Sequence, residues 1–379
     1  MSEVAIKPMT ATEVDDGEVF VLVLLPQLTA FGADSPLEIE VCGRGILKWV
    51  EAAVGRFPSK QVEVFKHDDI MSIVRKNVGE HKYTAVVYAD TPLLTTDTLV
   101  QAITYLGNFN HRACKMPRGW IFETDFIKTA EFITAADIPN LPPEDFIVAY
   151  NYTQVAVINN IMRGRILARH LSAGVHIIDL NTTYIDADVI IEKRVTIEPN
   201  VILKGSTHVK KGALIMSGSR ITDSQIGENC VVNKSQITES EVGKGTTVGP
   251  NALLRTGSIV GEGCKIHNCV EIKKSTVGDK TKIAHMTYVG DSTLGEKCNI
   301  GCGVVFTSYD GKEKHQITVG NNVFVGSNSN LIAPLTLDDK AYIAAGSTIT
   351  QDVPKNALGI ARARQAVKED WNTDTDTDN

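Results

Sequence analysis

A histidine, a tyrosine and several cationic side chains stand close together in the second half of the chain. His285 and Tyr288 lie three positions apart, and a polar stretch rich in charged residues follows at 307–316. An imidazole is suited to accepting a proton near neutral pH, and cationic and hydroxyl side chains are suited to holding a phosphate. Residue type alone favours simpler interpretations, because a lone histidine is usually an ordinary surface or core residue and lysines usually form a solvated face. Whether these residues form a site therefore depends on the secondary-structure elements that carry them.

Those elements follow a repeat of six residues. An aliphatic residue recurs every six positions over 185–221, and after a slip in phase the repeat resumes over 242–272 and 319–349. A helix repeats about every 3.6 residues and a flat strand about every two, so neither has this period. The repeat predicts a solenoid, a parallel β-helix in which each hexapeptide supplies one short strand and one corner. The aromatic content of 6% agrees, because the interior of such a prism is narrow.

One polar stretch breaks the repeat. Residues 307–316 read Thr-Ser-Tyr-Asp-Gly-Lys-Glu-Lys-His-Gln and cannot form the wall of a coil. We expect a loop that projects from the solenoid. Long loops on rigid scaffolds often carry function, although a tolerated insertion is the alternative.

The first 151 residues lack this repeat and predict an α/β layer. Val19–Leu25 and Thr84–Tyr88 are predicted buried strands, and Ile46–Val54 has helical spacing. A further helix is predicted from an N-cap near Asp97 to Leu106. Alternation of strands and helices is typical of α/β domains.

The chain is therefore predicted to have four segments. These are an α/β domain over 1–151, a connecting helix over 152–174, the β-helix over 175–354 and a tail over 355–379. The connecting helix is predicted as one amphipathic helix over Gln154–Ala173. The polar, acidic end of the tail, 373–379, is predicted to be disordered.

Composition excludes several classes of function. The 379 residues carry a net charge of −7 with no run rich in lysine and arginine, so we expect no nucleic-acid partner. The sequence has no apolar stretch of about 18 residues, so no membrane span is predicted. No secretory signal precedes the first strand, and a cytoplasmic location is therefore expected. The cysteines form no C-x-x-C pair and are expected to be free thiols that pack as small buried hydrophobes: Cys42, Cys114, Cys230, Cys264, Cys269, Cys298 and Cys302.

The solenoid half resembles a known family. The most specific runs are 284–291 and 309–315, and further matching runs lie at 173–186, 270–274, 299–303 and 325–347. In order and spacing they resemble the bacterial bifunctional N-acetylglucosamine-1-phosphate uridyltransferase/glucosamine-1-phosphate N-acetyltransferase family. The resemblance implies a left-handed parallel β-helix behind a nucleotidyltransferase-like α/β domain. It also implies a homotrimer whose active sites form where neighbouring subunits meet.

The resemblance also implies a reaction and a set of site residues. The reaction is acetyl transfer from acetyl-CoA to the amine of glucosamine 1-phosphate, which supplies UDP-N-acetylglucosamine for cell-wall precursors. His285 matches the general base. Five residues match contacts to the sugar phosphate: Arg255, Lys273, Tyr288, Asn299 and Lys314. Six match positions around the acetyl donor, where the backbone N–H near Cys302 is a candidate oxyanion donor: Cys302, Ser308, Tyr309, Ser327, Ala345 and Arg362.

Three positions depart from the family pattern. Ser308 replaces an asparagine before the loop tyrosine, Thr256 replaces a proline after Arg255, and Cys302 stands where alanine is usual. The shorter side chain of Ser308 could lower the rate or change the acceptor. None of these changes removes a residue that transfers a proton.

The N-terminal domain departs further. Its family opens with a glycine-rich phosphate cradle that carries an arginine and a lysine, whereas 24–33 reads Leu-Leu-Pro-Gln-Leu-Thr-Ala-Phe-Gly-Ala. Pro26 also removes an N–H donor. Asp90 matches one family ligand of Mg²⁺ and Asn159 falls near the second, and the ion is expected only if this domain retains activity. We therefore expect a shortened, vestigial uridyltransferase domain.

Three alternatives stay open at this stage. The chain could be fully bifunctional and also make UDP-N-acetylglucosamine from UTP, although the lost cradle argues against this. It could acylate another amino sugar, which Ser308 would permit. It could instead be a non-catalytic structural or regulatory trimer, although the intact His285 and loop argue against decay of the site.

Overall fold

The computed structural model describes residues 14–27, 36–369 and 371, and the chain divides into two compact units, 1–166 and 167–379. Each unit has its own architecture. Among the described residues, no helix is long and apolar enough to cross a membrane.

The first unit is built on a six-stranded mixed sheet. The predicted strands over Val19–Leu25 and Thr84–Tyr88 are confirmed as Val19–Pro26 and Tyr83–Tyr88. Both run parallel to each other, and Gly119–Glu123 runs antiparallel to its two neighbours. The spatial order of the strands is Ser59–Val64, Val19–Pro26, Tyr83–Tyr88, Gly119–Glu123, Ala113–Met116 and Ala136–Asp137. A separate short hairpin pairs Glu40–Val41 with Arg44–Gly45.

The strand Val19–Pro26 lies inside this sheet, next to its edge strand, and is buried on both faces. Val21 and Val23 pack into one apolar cluster, whereas Leu22 and Leu24 pack into another on the opposite face. A continuous apolar run is what a parallel strand covered on both faces requires. This is why the sequence shows a run of aliphatic residues here instead of an alternating pattern.

Helices pack against the sheet of the first unit. The α-helices among the described residues are Ile46–Val54, Ile70–Asn77, Thr96–Asn108, Thr124–Thr129 and Tyr152–Ser172. Short 3₁₀ helices within the same described residues lie at Asp16–Glu18, Pro36–Glu38 and Pro143–Phe146. The helix over Ile46–Val54 agrees with its predicted bounds.

The predicted N-cap near Asp97 is wrong. The cap is Thr95, whose hydroxyl oxygen accepts a hydrogen bond from the backbone N–H of Thr98. Asp97 lies in the first turn of the helix, where a negative charge favours the helix dipole. Threonine and aspartate are both good cap residues, so residue type did not separate the two positions.

The second unit is a parallel β-helix of the left-handed type, with three sheets that form the faces of a prism. The first face contains Tyr184–Ile185, Ile202–Lys204, Arg220–Thr222, Gln236–Thr238, Leu253–Leu254, Glu271–Lys273, Tyr288–Gly290, Val305–Thr307, Asn330–Ile332 and Thr348–Ile349. The second face contains Ile190–Ile191, His208–Val209, Gln225–Ile226, Glu241–Val242, Ile259–Val260, Thr276–Val277, Ser292–Leu294, Ile317–Val319 and Leu335–Leu337. The third face contains His176–Ile177, Thr196–Ile197, Leu214–Ile215, Val231–Val232, Thr247–Val248, Lys265–Asn268, Lys282–His285, Asn299–Ile300, Phe324–Val325, Tyr342–Ile343 and Leu358–Gly359.

The residues of the six-residue repeat fill the interior of the prism, which confirms the predicted fold. Within the first face, Leu254, Ile272 and Val289 are fully buried and stack in register. The slip in phase has a geometric cause. Leu203 pairs with Ile221, 18 positions on, whereas Ile221 pairs with Ile237, only 16 positions on. One coil is therefore shorter, and the apolar positions stay aligned in space although their spacing in sequence changes.

The cysteine prediction is only partly correct. All seven cysteines are free thiols, and Cys114, Cys230, Cys264 and Cys298 are buried. Cys269 is exposed, however, because it lies on a corner outside the coil. The acidic end of the tail, predicted to be disordered, lies outside the described residues.

Candidate active site at a corner of the solenoid

His285 lies at a corner of the prism and is exposed to solvent. It ends the third-face strand Lys282–His285, and Ile283 in the same strand is fully buried. In a flat strand residues two apart share a face, so alternation alone would have turned the imidazole inward beside Ile283. Met286 follows with φ of +40°, which turns the chain toward the next face. The corner therefore leaves the ring outside the apolar interior.

Four of the predicted site residues form one column along this corner. The third-face residues Ile283, Ile300, Val325 and Ile343 pair in register from coil to coil. Two positions after each of them stand His285, Cys302, Ser327 and Ala345. Neighbouring parallel strands lie about 4.8 Å apart, so these residues follow one another up the corner at that spacing.

The upper end of the column carries a cation. Ser327 and Ala345 are exposed, and their small side chains leave the surface there shallow. Arg362 donates a hydrogen bond from Nη1 to the carbonyl oxygen of Ala345 at 3.0 Å. The structure thus brings Arg362 to the residues with which it was grouped in the sequence.

A cluster of cationic side chains lies around Tyr288. This tyrosine is on the first face, three residues after His285. Tyr288 opens the strand Tyr288–Gly290, and its Cα partner in the preceding coil is Glu271. Lys273 ends that preceding strand. A hydrogen bond with Lys314 lowers the pKa of Lys273, and the like charges of Lys314 and, to a smaller extent, Arg255 lower it further. Three positive charges therefore converge beside one tyrosine.

The absence of a side chain at Gly290 determines where the ring of Tyr288 lies. A Cβ added to Gly290 would lie 2.5 Å from the phenolic oxygen of Tyr288, so the ring covers the bare backbone of Gly290. Partial burial raises the pKa of Tyr288, and the nearby carboxylates of Asp291 and Glu271 raise it further. The phenol is therefore held neutral, as a hydrogen-bond donor, through the physiological range.

The sequence analysis missed two carboxylates in this cluster. Glu271 accepts a hydrogen bond from Nη1 of Arg255 at 2.8 Å, and both side chains are partly exposed. Asp291 accepts a hydrogen bond from the hydroxyl of Ser308 at 3.0 Å. Both lie within the sequence runs that carry the family resemblance, so their place in those runs was the available signal. The cluster holds three cations and two carboxylates and keeps a net positive charge.

The predicted loop is confirmed, and its own hydrogen bonds give it a defined shape. Asp310 accepts hydrogen bonds from the backbone N–H groups of Lys312 and Glu313, each at 2.7 Å, and its second oxygen lies 2.8 Å from Nε2 of His315. These contacts, led by the one from Glu313, lower the pKa of Asp310 well below its usual range. A β-bridge pairs Tyr309 with Lys314 and closes the loop.

The remaining predicted residues take different positions. Ser308, at the base of the loop, is only 6% exposed, whereas Tyr309 is exposed and donates its hydroxyl proton to the carbonyl of Gly311 at 2.8 Å. Asn299 is half-buried at the start of its third-face strand, three positions before Cys302. It therefore shares a face with His285 but lies away from the corner column.

The predicted Mg²⁺ ligands of the first unit are engaged in other contacts. Both carboxylate oxygens of Asp90 accept hydrogen bonds from Arg118, at 2.7 and 2.5 Å, and Asp90 is fully buried. Burial raises the pKa of Asp90, and the guanidinium opposes that shift. The amide oxygen of Asn159 accepts a hydrogen bond from the backbone N–H of Cys42 at 3.0 Å. Within the described residues no group of three or more histidine, cysteine and acidic side chains could hold a metal. Both oxygens of Asp90 and the amide oxygen of Asn159 already accept hydrogen bonds from other residues, so in this arrangement they do not fit Mg²⁺.

Comparison with known proteins places the chain in a family. A profile described as the GMPPB C-terminal domain matches residues 237–311, and one described as the hexapeptide repeat of succinyl-transferase matches 316–351. The bifunctional protein GlmU of Clostridium acetobutylicum is 47% identical over 232 residues, which cover 61% of this chain and 51% of that protein. GlmU of Clostridioides difficile is 38% identical over 308 residues, which cover 81% of this chain and 66% of that protein. The chain belongs to the GlmU family.

This GlmU-family chain spans about half the length of the first curated relatives it matches. Among solved structures, a UDP-N-acetylglucosamine acyltransferase from Francisella novicida covers 49% of this chain, with 66% of its own chain matched. Its sequence identity is 16% and its TM-score is 0.36.

Proposed function

We propose that the chain is an N-acetyltransferase that moves the acetyl group of acetyl-CoA to the amine of glucosamine 1-phosphate. One observation carries the proposal: an exposed imidazole, His285, stands three residues before Tyr288, which belongs to a cluster with a net positive charge. A proton acceptor beside an anion-binding cluster suits a substrate that bears both an amine and a phosphate. The relationship to GlmU proteins supports this choice over other acyl transfers.

The proposed chemistry assigns a task to each group. The neutral amine attacks the thioester carbonyl carbon, His285 accepts the proton that the nitrogen loses, and the carbonyl oxygen becomes negative. The backbone N–H near Cys302, next in the column, would donate a hydrogen bond to that oxygen. The C–S bond then breaks, coenzyme A leaves as a thiol after taking up a proton, and the amide remains on the sugar.

The cation cluster would bind the phosphate. Arg255 offers a planar pair of donors, and Lys273 and Lys314 offer point charges on either side. Lys273 and Lys314 lie close enough to form a hydrogen bond, and two ammonium groups at that range would repel each other. A bound dianion relieves that repulsion, so the cluster is suited to bind a phosphate more strongly than a neutral sugar.

The acetyl donor would lie along the corner column. Ser327 and Ala345 leave room for an extended chain beside the backbone, and Arg362 supplies a cation for the phosphates of coenzyme A. We propose a homotrimer, as the family resemblance implies, in which a neighbouring subunit completes each site. We further propose that the first unit has lost uridyl transfer, which the pairing of Asp90 with Arg118 supports.

A second acceptor is favoured by one observation. Ser308 stands where the family has asparagine, and its hydroxyl is bound to Asp291 inside the cation cluster. The shorter side chain leaves space that a differently substituted amino sugar could fill. The alternative function is therefore the same acetyl transfer to another phosphorylated amino sugar.

The test is acetyl transfer by the purified full-length chain. We would incubate it with acetyl-CoA and a panel of amino-sugar phosphates, and follow coenzyme A release and the acetylated product by mass spectrometry. We expect glucosamine 1-phosphate to give the highest kcat/KM and His285→Asn to lower kcat by about 10²–10⁴-fold. His208→Asn, a histidine on the second face, is the matched control and should keep the wild-type rate.

Four outcomes would reject or change parts of this proposal. An inactive wild type with every acceptor would reject acetyl transfer, and an unchanged rate in His285→Asn would reject the assigned base. Higher kcat/KM with a different amino sugar would select the second acceptor. UMP transfer from UTP to N-acetylglucosamine 1-phosphate would reject the loss of the first activity.

A further inference from the structure

A two-residue turn in the first unit places an arginine against a buried carboxylate. The strands Ala113–Met116 and Gly119–Glu123 pair in antiparallel fashion, and Arg118 lies in the turn between them. Its Nε donates to Oδ1 of Asp90 at 2.7 Å, and its Nη2 donates to Oδ2 at 2.5 Å. The pair is therefore bidentate and uses both oxygens of the carboxylate.

Two contacts hold the turn that carries Arg118 in place. Gly119 has φ of +128°, and a Cβ there would lie 2.2 Å from the carbonyl oxygen of Val86, so the backbone of the turn packs directly on the neighbouring strand. The guanidinium carbon of Arg118 also lies 4.1 Å from the centre of the Tyr88 ring. Close packing on one side and the aromatic ring on the other hold the guanidinium on Asp90.

The pair lies at the point where an open α/β sheet usually binds ligands. Val19–Pro26 lies between Ser59–Val64 on one side and Tyr83–Tyr88, the next strand of the sheet along the chain, on the other, so the order of the strands reverses at Val19–Pro26. Ligands of such sheets bind beyond the carboxyl ends of the strands at this point. Asp90 follows the carboxyl end of Tyr83–Tyr88, which puts the Asp90–Arg118 pair at that position.

We propose that Arg118 is a built-in cation that takes the place of a divalent metal at Asp90, so that the first unit balances this buried charge without Mg²⁺. The guanidinium occupies both carboxylate oxygens, and a second cation in contact with it would be repelled. The other expected ligand, Asn159, already accepts a hydrogen bond from the backbone of Cys42. This inference concerns the first unit alone and does not depend on acetyl transfer.

The proposal predicts how the full chain responds to charge removal. Two of its three tryptophans, Trp49 and Trp120, lie in the first unit, and the third, Trp371, lies near the end of the tail and is largely exposed, so tryptophan fluorescence reports mainly on the first unit. Arg118→Met leaves a buried carboxylate without a partner, and we expect the melting temperature of that unit to fall by roughly 10 °C. The double variant Arg118→Met/Asp90→Asn should recover at least half of that loss.

The matched control is an arginine of the same sheet in an exposed pair. Arg112 contacts Glu123 at 3.1 Å, and the two side chains are 58% and 39% exposed. Arg112→Met should shift the melting temperature by no more than about 2 °C, because exposed ion pairs contribute little. An equal loss in the two variants would overturn the special role of the buried pair.

Metal binding is measured directly on the wild-type chain. We would titrate the full chain with MnCl₂ and follow free Mn²⁺ by electron paramagnetic resonance, and measure the melting temperature with and without millimolar MgCl₂. We expect the same Mn²⁺ binding in wild type and in Asp90→Asn, and no stabilisation by MgCl₂. A Mn²⁺ site that Asp90→Asn abolishes would overturn the proposal even if Arg118→Met fails to fold.

Discussion

Ser308 donates its hydroxyl proton to Asp291 across adjacent coils, at 3.0 Å, and this bond joins the base of the projecting loop to the cation cluster. Asp291 also acts on Lys273, Tyr288 and Lys314 through its charge. The position of one buried hydroxyl is thus coupled to the charges that would bind the phosphate.

The Ser308→Ala variant tests that coupling. Removing the hydroxyl frees the Asp291 carboxylate to turn toward the lysines and compete with the phosphate. We expect the KM for the sugar phosphate to rise about tenfold, which corresponds to about 1.4 kcal/mol, while the KM for acetyl-CoA stays within about twofold. Steady-state kinetics with each substrate varied in turn measure both values. Ser224→Ala, which removes a buried serine hydroxyl from another coil, is the control and should leave both unchanged; equal effects in the two variants would refute the coupling.

The Gly290→Ala variant tests whether the bare backbone of Gly290 positions the ring of Tyr288. The new methyl group would meet the phenolic oxygen of Tyr288 and push the ring away from the cluster, while the coil interior stays intact. We expect the KM for the sugar phosphate to rise roughly tenfold and the melting temperature to change by less than about 3 °C. Gly164→Ala, in a helix with open space around the added methyl, is the control for a glycine change. A Tyr288→Phe variant with wild-type KM would show that this phenol has no part in binding.

The sequence predicted the solenoid well because its burial pattern is local. Each coil needs an aliphatic residue such as Ile272 at its inner position, whatever the neighbouring coils contain. The helix over Ile46–Val54 was likewise predictable from spacing alone. The outward direction of His285 was not, because the corner after it overrides simple alternation.

The side chains that contact the site residues could not be predicted from the sequence. Arg118 and Asp90 are 28 positions apart, and Ser308 and Asp291 are 17 apart. Such contacts depend on which strands lie side by side and on the length of each coil. A pattern of residue types along one chain contains neither quantity directly, so both pairs became visible only in the fold.

A buried histidine predicts how stability depends on pH. His170 is 5% exposed and its Nε2 has no hydrogen-bond partner among the described residues. Burial, with a smaller effect of Arg169, lowers its pKa to about 4 from an ordinary value of 6.5. Because the folded-state value is the lower one, the unfolded chain binds the proton more readily, and stability is lost as pH falls from about 6.5 toward 4.

We expect this histidine to contribute up to roughly 3 kcal/mol of pH-dependent unfolding free energy between pH 7 and pH 4. Urea unfolding followed by circular dichroism at several pH values measures it. His170→Leu removes the titrating group and should flatten that part of the curve. A His170→Leu curve that runs parallel to wild type would assign the pH dependence to other groups.

The Asp310 carboxylate is predicted to position Lys314 through the shape of the loop. Asp310→Ala removes three hydrogen bonds that fold the loop back on itself, yet it leaves every cation of the cluster in place. We expect the KM for the sugar phosphate to rise about as much as in Lys314→Ala, by roughly five- to tenfold.

A double-variant cycle separates positioning from a direct contact. If Asp310 acts only by positioning Lys314, then Asp310→Ala/Lys314→Ala has the same KM as Lys314→Ala alone. Once the Lys314 ammonium group is removed, loss of Asp310 has no further effect on binding. Additive losses would instead mean that Asp310 contributes to binding independently of Lys314. Glu313→Ala is the matched control, since the Glu313 backbone takes part in the loop bonds and the substitution leaves that backbone in place. Its KM should stay within about twofold of wild type, and a rise equal to that of Asp310→Ala would show that loss of any negative charge on the loop has the same effect.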